Sequence, residues 1–107
     1  MNFVLRFTPE ANQMMSDLQS NASNAKVLKA VQKCLGYLQL NPRHQGLNSH
    51  KFNSITGANG EEVFEVYAQN NTPGAYRVFG HYGPNVVGED GKVVESVITI
   101  VTVTPHP

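Results

Sequence analysis

The stretch EVFEVYAQNNTPGAYRVFGHY, residues 62–82, decides the fold, because it reads as two strands around a turn. Valine, phenylalanine and tyrosine crowd both flanks. The NNTPG between them supplies proline, which fixes φ, and glycine, which enters the left-handed region freely. Side chains alternate along a strand, so the second flank places Arg77, Phe79 and His81 on one face and Tyr76, Val78 and Tyr82 on the other. Downstream, GEDGK at 88–92 predicts the tip of a further hairpin, which returns SVITIVTV (96–103) antiparallel to the Arg77 strand. That last strand is apolar on both faces and is therefore expected in the interior of the sheet. Upstream, Asn59-Gly60 signals another hairpin, preceded by a short strand at HKFNSI (50–55).

The N-terminal part has a different period. NFVLRFT (2–8) alternates Phe3, Leu5 and Phe7 with Val4, Arg6 and Thr8, as a strand does. Thr8-Pro9-Glu10 then starts a helix: a capping hydroxyl, a proline in the first turn, and an acid near the positive end of the dipole. Ala11, Met14, Met15 and Leu18 form its apolar stripe. SNASN (20–24) breaks the helix. A second one carries Val27, Leu28, Val31, Cys34, Leu35 and Leu38 on one face and Lys26, Lys29 and Lys33 on the other, until Asn41-Pro42 stops it. Two helices joined by a short polar turn predict an antiparallel pair. Phe3 and its neighbours are expected to join the same sheet as the later strands, with both helices on one face and the other face partly open.

With 107 residues, 40% of them hydrophobic, the chain fits a single domain over 1–107 with one core. One cysteine excludes a disulfide framework, and Cys34 belongs to the apolar helix face. No apolar run reaches membrane-spanning length and no leader pattern opens the chain, which leads to the expectation of a cytoplasmic protein without membrane attachment. Eight basic and eight acidic residues cancel. They are segregated along the chain: no acid occurs between Asp17 and Glu61, where Lys26, Lys29, Lys33, Arg43 and Lys51 fall, and this predicts a molecule basic on one side and acidic on another. NPRHQGLNSHKF (41–52) gathers Arg43, His44, His50 and Lys51 in one crossing from helix to strand. The four scattered histidines lack the paired spacing of a zinc site, and no metal or other cofactor is expected.

The order strand, helix, helix, four-stranded antiparallel meander makes an α+β architecture that resembles the RelE/ParE superfamily of bacterial toxin-antitoxin toxins, above all its RelE-like branch. The resemblance rests on NPRHQGLNSHKF, on GEEVFEVYAQNNTPGAYRVFGHYGP (60–84) and on the terminal ITIVTVTPHP (98–107), with YRVFGHY similar to the family's arginine-bearing strand. It implies a toxin that halts translation by cutting messenger RNA on the ribosome, without metal, and that is restrained by a cognate antitoxin. The ribose hydroxyl is then the nucleophile, and the site must supply a base, an acid and cations for the phosphorane. On this reading Arg77 stabilises phosphate charge and Lys51 positions it. His50, His81, Glu65 or His106 moves protons, and RNA is contacted by Lys51, Arg77, Phe79 and Arg43. The chain departs from the family where a second arginine is typical: VFEVYAQ (63–69) offers Glu65, Tyr67 and Gln69. Glu65 there is either a base or the neutraliser of Arg77.

Plainer readings stand beside these. Arg77 can be a sheet-surface ion pair with Glu65, the 41–52 crossing a solvated loop, Arg43 and His44 dipole partners of the second helix, and His106 a tail. Two other functions share the fold: a ParE-type toxin acting on DNA gyrase by protein contact, and a catalytically silent binding module.

Overall fold

The structure, a computed structural model, describes residues 2–69 and 74–105 of the chain. Strand β1 (Val4–Phe7) leads into helix α1 (Pro9–Ser20). The Thr8 hydroxyl accepts from the Ala11 N–H at 3.1 Å and donates to the Val101 carbonyl at 2.7 Å, so one side chain caps the helix and ties it to the last strand. A short 3-10 turn precedes α2 (Ala25–Leu40), whose buried stripe is Val31, Cys34, Leu35 and Leu38. Lys26, Lys29 and Lys33 are exposed on its other side, as the periodicity predicts. A second 3-10 turn (Gln45–Leu47) brings the chain to β2 (His50–Thr56), β3 (Glu62–Tyr67) and β4 (Tyr76–Tyr82).

From here the expected meander needs correction. After β4 the chain forms a separate two-stranded ribbon, β5 (Val86–Val87) with β6 (Val93–Glu95), and only then enters β7 (Val97–Pro105). GEDGK is thus the tip of the ribbon and not of a β4–β7 hairpin. The main sheet has five strands in the order β1-β7-β4-β3-β2 and is mixed, because β1 runs parallel to β7 while the other pairs are antiparallel. The interior place of the last strand and the recruitment of the first are both observed. Parallel pairing there follows from the connection: β1 and β7 lie at opposite ends of the chain, so no tight hairpin forces them to oppose. The loops at 57–61 and 88–92 share one form, with Gly60 and Gly91 at φ 83° and 80° closing three-residue turns.

Both helices lie on one face of the sheet. Val66, Val78, Ile98, Ile100 and Val103 meet the helix stripes in a continuous apolar core, each large side chain contributing about 1.5–3 kcal/mol by leaving water. Gly80 sits where β4 slips register against β7, and a Cβ there would lie 2.9 Å from the Thr99 carbonyl oxygen. Among the described residues no helix is long and apolar enough to cross a membrane.

Candidate functional site

The opposite face is polar and yet largely buried. Glu65 pairs with Phe79 and Tyr67 with Arg77 across β3 and β4, so these four side chains and His81 share the face away from the helices. Arg77 and Phe79 are 0% exposed, Glu65 1% and His81 4%. Three aromatic or imidazole rings cover them. The Tyr67 ring lies 3.9 Å from the Arg77 guanidinium carbon, a close cation–π stack. Phe52 meets Phe79 edge-on at 4.9 Å although β3 runs between their strands, so the two rings lean toward each other over β3. His50 closes over Glu65, with Nε2 2.6 Å from Oε1, and its ring edge faces Tyr67 at 5.9 Å. The face expected to be partly open is closed by the chain's own rings. Phe79 as an RNA platform is therefore corrected: it is core.

His50 is the accessible member, with its side chain 47% exposed above a carboxylate that is 1% exposed. Its Nδ1 lies 2.9 Å from the Asn48 carbonyl oxygen, which can only accept, so Nδ1 carries hydrogen in this arrangement. The short Nε2–Oε1 contact sets the imidazole against the Glu65 carboxylate. A buried carboxylate beside an exposed imidazole can orient the ring for proton transfer.

Lys51 does not join this group. It follows His50 in the strand, pairs with Phe64, and so faces the helix side, where its Nζ makes an exposed 3.0 Å ion pair with Glu62. Strand alternation thus separates Lys51 from Arg77, and one phosphate cannot rest on both in this conformation. Arg43 is exposed in the crossing, also away from Arg77. His44 stacks on Tyr37 at 4.5 Å and accepts from the Gly46 N–H through Nδ1, which makes it a structural member of the crossing. His81 is turned to the Tyr82 carbonyl oxygen at 3.1 Å. His106 lies outside the described residues. The charge segregation along the chain does not survive folding, since β2 delivers His50 and Lys51 directly to Glu65 and Glu62 on β3.

Two site residues escaped the sequence reading. Tyr67 became visible only once the β3–β4 register set it opposite Arg77. Tyr82 had a signal, the face opposite Arg77, but alternation does not show that it is 50% exposed at the end of its strand. Among the described residues no group of three or more His, Cys, Asp and Glu side chains is placed to hold a metal ion. Scans against protein-family models, curated proteins and solved structures each find no match to this chain.

Proposed function

We propose that the protein is a cytoplasmic toxin-antitoxin toxin of RelE-like type, a metal-independent endoribonuclease that cuts messenger RNA on the ribosome. The observation that carries this reading is the His50–Glu65 contact at 2.6 Å, an exposed imidazole on a buried carboxylate, on the same sheet face as Arg77. When the ribose 2′-hydroxyl replaces the Asn48 carbonyl beside Nδ1, the Nδ1 proton passes to water, Nε2–H stays directed at Glu65, and the Nδ1 lone pair left behind takes the hydroxyl proton. The oxygen attacks phosphorus, the P–O5′ bond breaks, and water protonates the departing 5′-oxygen. The products carry a 2′,3′-cyclic phosphate and a 5′-hydroxyl. Arg77, beneath Tyr67, contributes a fixed positive charge to the growing phosphorane charge.

Induction of the chain alone in bacteria, with message ends mapped and their chemistry determined, tests this reading. New 5′-hydroxyl ends within translated codons, lost in His50→Ala and Glu65→Gln, are the expected result. Normal growth without new ends sinks it, and DNA damage without message cleavage points to the gyrase alternative.

A second reading, the silent binding module, is favoured by one feature. Val93 and Val94 of the ribbon are 55% and 68% exposed, and with Val4 of the edge strand they line a depression of about 430 Å³. On the toxin reading this apolar surface is where the antitoxin, or a second copy of the free toxin, docks. Co-purification with a partner from cells carrying the native locus, together with normal growth when the chain is induced alone, is the outcome that singles out the module.

A further inference from the structure

The crossing from α2 to β2 lines two adjoining depressions, of about 400 Å³ and about 330 Å³, that share Ser49 and Tyr82. The first is walled by Arg43, His44 and Asn48, and the second by His50 and Lys51 with Glu62 and Phe64. Tyr82 stands between them. Its ring is held by Phe3 at 5.9 Å and Phe64 at 5.4 Å, both tilted by more than 50°, and half of its surface faces solvent. A rigid, half-exposed aromatic ring with a guanidinium in one flanking hollow and an ammonium in the other is the combination that binds single-stranded nucleic acid: a base stacks and the adjoining phosphates meet cations. The single acid in these walls, Glu62, is engaged with Lys51 in a solvent-exposed pair, which is weak enough for a phosphate to replace. His50 lines the second depression, so the hollow reaches the edge of the proposed catalytic dyad around the outer strand of the sheet.

We propose that this double hollow is a subsite for single-stranded RNA, in which a base stacks on Tyr82 and the phosphates on either side contact Arg43 and Lys51. The strand then turns over the start of β2, where consecutive residues point to opposite faces, and presents the next ribose to His50. The inference rests on the RNA-cleaving reading and places the substrate on the helix side of β2, away from the buried Phe79 that the sequence nominates. It also gives the basic crossing at 41–52 a use.

The probe is a short, fluorescently labelled 2′-O-methyl oligoadenylate, which lacks the nucleophile and so reports binding without cleavage. Anisotropy titrations with the full chain should give binding that Tyr82→Leu weakens about tenfold, as loss of one stacked base does, while Tyr82→Phe leaves it unchanged. Leucine keeps the apolar contact with Phe3 and Phe64, and thermal melts verify the fold. Arg43→Ala, on an exposed loop, should lower the slope of log affinity against log salt by about one. If binding is indifferent to Tyr82→Leu and Arg43→Ala but falls with Arg77→Met, the subsite is wrong and the RNA reading stands. No binding by the unsubstituted chain overturns the subsite, whereas the RNA-cleaving reading falls only if induction in cells yields no new message ends. Cleavage of unmodified RNA by His50→Ala removes the catalytic reading alone, leaving the Tyr82 and Arg43 titrations to decide the subsite.

Discussion

The two faces of the sheet are both buried, and they are buried by different physics. Toward the helices, Val66, Val78, Ile98, Ile100 and Val103 meet apolar stripes, so burial itself stabilises. On the other face Glu65, Arg77, His81 and Thr102 are withdrawn from water, with Tyr67 over Arg77 and His50 over Glu65, and burial there costs free energy unless each charge finds compensation. A protein needing only stability would make both faces alike. The proposed function puts the chemistry on the polar face, because fixed charges in a dry setting act strongly on a developing charge.

The sharpest break of this comparison is truncation on the apolar side. Leu38→Ala should lower stability by about 2–5 kcal/mol in urea unfolding, through lost transfer energy plus a cavity. On the polar side the arithmetic differs: His50→Ala should cost about 1–3 kcal/mol by leaving the buried Glu65 carboxylate without the imidazole that lies 2.6 Å from it, yet the double variant Glu65→Gln/His50→Ala should recover most of that. Additive losses in the double variant would mean that the two side chains are not coupled. Between the faces, Gly80→Ala should cost about 1–3 kcal/mol, since its Cβ meets backbone at 2.9 Å, and an unchanged melting temperature would show that β4 relaxes there.

Smaller effects follow from titratable groups. Burial pushes the Cys34 thiol up to about 12, so it stays protonated at neutral pH, and thiol reagents should label it only as fast as the chain opens. Labelling of native protein at the rate of a free thiol would contradict its place in the core. The Glu61 carboxyl is held below its ordinary value of 4.5 by hydrogen bonds from its own N–H and that of Asn59. A depressed carboxyl supports the fold above that value and ceases to as pH falls through the lowered one. Glu61→Gln should therefore flatten the acid limb of the stability profile slightly and leave neutral pH untouched, and a change at pH 7 instead would mean that the turn depends on more than this carboxylate.

Local rules settled a good deal from the residues alone. Thr8-Pro9 starts α1, the 3.6-residue stripe buries Val31, Cys34 and Leu38, and the two-sided apolar run places β7 in the interior, because caps and periodicities act over a few neighbouring residues. The tertiary structure decided what depends on partners far along the chain: the parallel pairing of β1 with β7, the ribbon inserted after β4, and the contact of Phe52 with Phe79 across β3. It also decided the site. Alternation put Arg77, Phe79 and His81 on one face, but only the β2–β3–β4 registers show that His50 joins them while Lys51, one residue later, does not. A one-residue step reverses a side chain's face, and which face ends in water is set by the helices and rings that pack over it.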